Sequence, residues 1–343
     1  MAERARPEAS RRTFLAWLAA GGLSLGGGMV IAGCSETDEP RSAVRVTGSP
    51  PSPAGKPAPP ATVTLEEPPQ FDGAVALEVI EHLAAEVGPR EGTSRAFHRA
   101  AGWVAERFTE LDYHVTEQDV PVPRGDASYR PEWGTVVEPG TSVNVIAEPA
   151  GFDPEQPHAV IGAHLDTVAV APGAEDNASG VGAVLELAQL LAVWPADVPV
   201  RLIAFGAEEP RGSGDDMHHF GSQLFVRNLS EPEQAAVIGM VSLDRVGVRA
   251  DAVPVGWGGR GPRAVVESLL DLADRTDIPA VQTDNRSSDH WSFEKAGIAA
   301  ARLGSVPFGA YHSARDVPSV IDRRQIRRVG RLTHAWALSL RRP

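Results

Sequence analysis

Between Ser142 and Leu243 the chain alternates short Val- and Ile-rich runs with one long apolar stretch, and this alternation restricts the fold more than any other feature. Ser142–Ala147, His158–His164, Val200–Phe205 and Ala236–Leu243 are bounded by Pro, Gly or Asp and read as strands. Ala178–Trp194 is apolar at almost every position and too long for a strand, so it reads as a core helix. Strands that alternate with helices predict an α/β domain with a largely parallel, twisted central sheet and helices on both faces. Val115–Val122 and Ile298–Leu303 add strands; Ala74–Val87, Thr93–Leu111, Arg263–Arg275 and Ile321–Leu340 add helices. In the second of these helices, Phe97, Ala101, Val104, Phe108 and Leu111 recur at helical spacing. No internal repeat interrupts the pattern, and residues 71–343 are expected to form a single domain.

Composition narrows the chemistry. Lys and Arg total 32 against 45 Asp and Glu, for a formal charge of −13. No basic stripe is visible, which argues against nucleic acid as a partner. The chain has one cysteine, so an internal disulfide framework and a multi-Cys zinc site are excluded. Any metal must be held by His and carboxylates.

Ligand sites in open α/β sheets gather beyond the carboxyl ends of the strands, and the most polar residues of this chain fall there. His164, Leu165 and Asp166 end one strand, Glu208 and Glu209 follow a second, and Asp244 follows a third. Asp176 and Asn177 precede the long apolar helix, and Tyr311 and His312 follow the last strand. Singly, each has an ordinary reading: a helix cap for Asp176, a surface pair for Glu208 and Glu209, a strand-end carboxylate for Asp244, a satisfied core histidine for His164 or His312. Together they form a mixed N/O donor set suited to zinc. Two metal ions sharing one carboxylate need five protein ligands, and five remain after one glutamate is set aside as a base.

The segments around these residues resemble the dizinc aminopeptidase family of clan MH, relatives of secreted bacterial leucyl aminopeptidases, glutamate carboxypeptidase and glutaminyl cyclase. The resemblance runs from Gly88-Pro89-Arg90 and Gly92-Thr93 through Ala163-His164-Leu165-Asp166, the Pro172–Gly180 segment, Phe205–Glu209, Leu243-Asp244 and Ser288-Asp289-His290 to Tyr311-His312. Arg245 stands where the family usually has Met. The resemblance implies the phosphorylase/hydrolase-like zinc exopeptidase fold and two Zn2+ ions. Asp176 would bridge them, His164 and Asp244 would complete one site, and Glu209 and His312 the other. It further implies Asp166 as the carboxylate that steadies His164, and Glu208 as the general base. Tyr311 would donate a hydrogen bond to the oxyanion, with a buried packing role as its alternative. Asp289 and His290 are expected to shape the pocket floor, and Arg286 to meet substrate. Asp215, Asp216, His218 and His219, in the Gly212–Phe220 segment, are expected in a solvated rim loop.

The implied activity is hydrolysis of the amino-terminal residue of peptides, with the convergent carboxylates suiting a free α-amine. A glutaminyl-cyclase-like zinc acyltransferase, a carboxypeptidase or amidase on the same scaffold, and a non-catalytic scaffold member are the alternatives.

The first 34 residues read as an address. Ser10, Arg11, Arg12, Thr13, Phe14 and Leu15 precede an uncharged stretch to Gly33, resembling a twin-arginine export signal. Ile31, Ala32, Gly33 and Cys34 resemble a bacterial lipobox, which makes Cys34 the expected lipidation site. An uncleaved membrane anchor is the alternative. Residues 35–70 contain nine prolines and read as a tether. The expected location is the outer face of the bacterial cell membrane, with the membrane engaged through the lipid.

Overall fold

Apolar residues at consecutive positions of the central strands divide between two faces, because successive strand side chains point oppositely. In β3 (His158–His164), Ala159, Ile161 and Ala163 join one core cluster and Val160 another. Leu202 and Ile203 divide in the same way in β4 (Val200–Phe205), and Val241 and Met240 in β5 (Val237–Leu243). Such strands need cover on both sides.

The computed structural model describes residues 67–126, 128–134, 138–304 and 306–342. The paired arginines, the Phe14–Gly33 stretch, Cys34 and residues 35–66 of the expected tether lie outside the described residues. Among those described, no helix is long and apolar enough to cross a membrane.

The remaining strands are β1 (His114–Val122), β2 (Gly140–Glu148), β6 (Val253–Trp257), β7 (Ala280–Asp284) and β8 (Ala300–Leu303). All eight form one sheet in the order β1-β2-β4-β3-β5-β8-β6-β7. The centre, β4-β3-β5-β8, is parallel, as the alternation predicts. Its flanks are mixed: β2 runs antiparallel to both β1 and β4, and β6 runs antiparallel to β8 but parallel to β7. The pair β6 and β7 escapes a reading of apolar runs. One contains Pro254 and Gly256, and the other is a largely exposed edge strand.

The helices are α1 (Ala74–Ile80, continuing as a π-helical stretch Glu81–Val87), α2 (Arg95–Glu110), α3 (Ser179–Val193), α4 (Phe220–Asn228), α5 (Glu231–Ala236), α6 (Ala264–Arg275), α7 (His290–Lys295) and α8 (Arg323–Ser339). The larger core packs residues of α1, α2, α3, α6 and α8 on one face of the sheet. Phe225 of α4 and Phe293 of α7 cover the other. Glu186, the one charged residue of α3, accepts the amides of Asp72, Gly73 and Ala76 at 2.8, 2.8 and 3.0 Å, satisfying the open N-terminus of α1. A Cβ at Gly182 would meet the Ala76 carbonyl at 2.6 Å, so the two helices approach as closely as they do only because residue 182 is glycine.

Parallel alignment gives β3, β4, β5 and β8 a common carboxyl edge. His164 pairs with Phe205, Gly162 with Ser242 and Leu243 with Leu303. The loops that leave these four strands therefore start side by side.

Candidate metal centre

The loop after β3 is fastened from beneath by Arg90. Its buried guanidinium donates to the carbonyls of Leu165 (2.6 Å), Pro172 (2.7 Å), Gly173 (3.1 Å) and Leu83 (3.2 Å). Gly173, at φ +66°, carries the chain into the turn before α3, where a Cβ would strike Thr167 and the Asp176 carbonyl. Asp316 accepts the amides of Glu175 (2.8 Å) and Asp176 (3.0 Å) from the opposite side. The Asp176–Asn177 peptide bond is cis. Asn177 ties this turn to the end of β5, donating to the Leu243 carbonyl at 2.9 Å and accepting the amides of Gly180 and Arg245.

Within this frame Asp176 faces two imidazoles. Its Oδ1 lies 3.2 Å from His164 Nε2 and its Oδ2 3.1 Å from His312 Nε2. His312 Nε2 is also 3.1 Å from Glu209 Oε2, and His164 Nε2 is 3.9 Å from Asp244 Oδ1. All five side chains are buried. The structure thus brings together every residue of the expected ligand set, with Asp176 between the two imidazoles. Asp176 is not the helix cap that its position would allow: the neighbouring Asn177, whose Oδ1 accepts the Gly180 amide, meets the start of α3 instead.

The donor chemistry fits a cation. His164 Nδ1 lies 3.1 Å from the Asp166 carbonyl, which can only accept, so Nδ1 carries the proton in the neutral ring and Nε2 turns a lone pair toward Asp176. Two lone pairs at 3.2 Å require a proton or a metal ion between them. Without metal, burial disfavours a charged His164, yet Glu208, Asp166, Asp176 and Asp244 together hold its pKa well above the usual histidine range. For His312 the same contest, with Glu209 and Asp176 opposing burial, ends at about 10. Glu209 Oε1 is buried without a hydrogen-bond partner, a further coordinating atom available to an ion.

Asp166 supports the site differently from the sequence expectation. Its carboxylate is 3.7 Å from His164 Nδ1, and the imidazole is held by its backbone carbonyl instead. The carboxylate accepts the amides of Glu208 (2.9 Å) and Glu209 (3.1 Å), so it sets the turn after β4. Glu208 stands beside the ligand set with Oε2 4.0 Å from His164 Nε2. Burial, partly offset by His164 and reinforced by Asp244 and Asp166, raises its pKa to about 8.

Four of the seven non-glycine residues with positive φ among those described sit here: Ala207, His219, Arg245 and His312. Backbone held in that region costs on the order of 1–3 kcal/mol per residue and persists only where the surroundings over-determine it.

Tyr311 is 42% exposed, which removes the buried packing alternative. Its ring stacks on His312 with centroids 3.7 Å apart, and the Arg245 guanidinium lies over it at 4.5 Å. Trp133 meets His312 edge-on at 4.3 Å. Asp289 and His290 are buried at the start of α7, and neither oxygen of Asp289 has a hydrogen-bond partner. Arg286 is exposed beside a cleft of about 210 Å³ that it lines with Gly214, Asp215, His218, His219 and Ser287.

Two expectations are corrected. His219 is not part of a solvated rim loop: it is 3% exposed, and its Nε2 lies 3.1 Å from Glu208 Oε1. Nor is the site as negative as its carboxylates suggest. Arg302 is buried with Nη2 2.8 Å from Asp244 Oδ1, and Arg245 Nε is 3.7 Å from the same oxygen. Burial works against ionisation of Asp244, but Arg302 and His164 hold its pKa far below the usual carboxylate value. An arginine within the apolar Ile298–Leu303 run was a visible signal of something polar to meet; His219 had none.

Residues 144–337 match peptidase family M28. The chain is 32% identical over 208 residues to aminopeptidase YwaD of Bacillus subtilis, covering 57% of this chain and 44% of that protein. It is 31% identical to leupeptin-inactivating enzyme 1 of Streptomyces exfoliatus, covering 74% of this chain and 54% of that protein. The chain thus spans about half the length of these relatives. Among solved structures, a zinc aminopeptidase from Bacillus subtilis superposes with a TM-score of 0.67 at 22% identity, covering 79% of this chain and 95% of that one. A glutaminyl cyclase from Tannerella forsythia gives 0.67 at 21%, covering 80% and 100%. At such identities these two likenesses speak for the fold. The family match begins inside β2, ends inside α8 and takes in every carboxylate and imidazole gathered at the strand ends, so the chain belongs to peptidase family M28.

Proposed function

We propose that the protein is a dizinc aminopeptidase. The observation that carries this reading is the position of Asp176, with one oxygen toward His164 and the other toward His312, next to a glutamate that the ligand set does not use. His164, Asp176 and Asp244 would hold one zinc ion, and Asp176, Glu209 and His312 the other. Bound there, the pair supplies a Lewis acid for the scissile carbonyl and acidifies a water. Glu208 takes the proton of the attacking water and returns it to the leaving amine, for which a buried carboxylate with a raised pKa is suited. Asp166 keeps Glu208 and Glu209 pointed apart by holding both their amides. Tyr311, partly exposed and stacked on His312, would donate to the developing oxyanion.

The amino-terminal preference is supported by the relatives named aminopeptidases. It is tested with a peptide, its N-acetyl form and its C-terminal amide. Acetylation should abolish most of kcat/KM while amidation leaves it nearly intact. Cleavage that ignores acetylation but fails on the amide points to a carboxypeptidase. Release of ammonia from an N-terminal glutamine with ring closure points to a cyclase.

We further propose that Cys34 carries lipid and that the Pro-rich residues 35–70 hold the catalytic domain away from the outer face of the membrane, a reading supported by Ile31-Ala32-Gly33-Cys34. Cys34→Ser should release the protein from the membrane fraction. Equal retention of both forms, with no lipid label on the wild type, favours an uncleaved helix.

A further inference from the structure

The segment between Arg211 and α4 folds back onto the catalytic turn. The His219 amide donates to the Glu208 carbonyl at 2.9 Å and the Phe220 amide to the Ala207 carbonyl at 2.9 Å. Asp215 anchors the far side, accepting from Trp291 Nε1 (3.0 Å) and Lys295 Nζ (2.9 Å) of α7. Gln223 of α4 donates to the His218 carbonyl at 2.6 Å. These contacts hold His219 at φ +54°, a conformation that an unsupported histidine rarely keeps, and drive its ring inward.

We propose that His219 is a positioning residue for Glu208: its Nε2–H holds Oε1 and leaves Oε2 as the oxygen that exchanges the proton. The proposal rests on the reading of Glu208 as the general base. Rotation about the last torsion of a glutamate is soft, so its two oxygens interchange unless a neighbour distinguishes them. Here they face different partners. Oε1 is 3.1 Å from His219 Nε2, and Oε2 lies on the His164 side at 4.0 Å. A general base acts from its ionised form, and an ionised carboxylate offers only lone pairs, so in that form of Glu208 the facing imidazole nitrogen must be the protonated one. Nδ1, buried without a partner, is then the bare nitrogen. Burial presses the imidazolium form down to a pKa of about 4, so the ring is neutral at pH 7. A neutral donor orients the base without the loss of basicity that a cation would impose.

His219 also borders the 210 Å³ cleft, so a role as a mere wall for substrate must be separated from positioning. The zinc-loaded full chain is compared with His219→Leu and His219→Gln, each also made with Glu208→Ala. His219→Leu should lower kcat by ~10- to 100-fold, the scale of a misoriented catalytic group, with KM within about twofold. His219→Gln, which keeps a donor, should recover most of that loss. In the Glu208→Ala background neither change should cost more. In parallel, 15N-histidine spectra should show His219 protonated at Nε2 and bare at Nδ1, with this signature lost in Glu208→Ala. A change confined to KM, equal damage by Leu and Gln, undiminished damage without Glu208, or a proton on Nδ1 each overturns the proposal. If the wild type cleaves no peptide, the aminopeptidase reading fails separately, and the tautomer decides whether His219 donates to Glu208.

Discussion

Asp166 accepts the backbone N–H of Glu208 at 2.9 Å, so the residue two places after His164 builds the turn that carries the base. One oxygen of Asp166 serves Glu208 and the other Glu209, whose amide is 3.1 Å away. The two adjacent glutamates can then point to different tasks.

They should separate on mutation. Glu208→Ala is expected to retain zinc and lose turnover by ~10²-fold or more, the usual scale of general acid and base catalysis. Glu209→Ala should lose metal as well. Elemental analysis with steady-state kinetics checks both; zinc lost from Glu208→Ala and retained by an active Glu209→Ala would exchange the roles.

Asp176 should matter to both half-sites. Wild-type protein loaded with zinc and dialysed is expected to carry two ions per chain, and Asp176→Ala at most one, measured by metal analysis. A single ion in the wild type, unchanged by the substitution, would remove the bridging assignment.

Arg90 should be a stability residue whose charge alone is not enough. Arg90→Ala leaves the carbonyls of Leu165, Pro172, Gly173 and Leu83 without their buried donor, at a cost of ~3 kcal/mol or more in urea unfolding. Arg90→Lys should recover only a fraction, because one ammonium cannot reach carbonyls spread around a planar guanidinium. Full recovery by lysine would show that the charge rather than the fork holds the loop.

Acid should destabilise the fold partly through His334. Burial lowers its pKa from 6.5 to about 4, and its Nε2 has no partner. The unfolded chain therefore takes up this proton below about pH 6.5 while the folded chain refuses it until about pH 4. The neutral ring's contribution is intact above pH 6.5 and is lost as the pH falls through that window. The loss is on the order of 2 kcal/mol. Between pH 7 and pH 4.5 the wild type should lose about 2 kcal/mol more in urea unfolding than His334→Leu does, since the other buried titrating groups are common to both. An unchanged slope would mean that His334 titrates normally in the folded chain.

The amino-acid sequence by itself determined the parallel centre of the sheet and the edge on which its polar residues gather. Both depend on local signals: apolar runs of strand length around a long apolar helix, and polar residues placed just beyond the ends of those runs. A parallel arrangement puts those ends on one edge, so His164, Glu208, Glu209 and Asp244 were bound to lie near one another once the strands were recognised. The tertiary structure alone decided three other things. It placed the antiparallel flanks, because β7 is a polar edge strand and β6 contains Pro254 and Gly256, so neither shows a clear apolar run. It brought Arg302 onto Asp244, a contact between different strands that only the sheet register defines. It also turned His219 inward, since that orientation depends on Asp215 reaching Trp291 and Lys295 about 80 residues away. Spacing along a chain encodes the direction of a side chain within its own element. Which loop docks on which helix follows from contacts distant in sequence, and those contacts decide what surrounds the base.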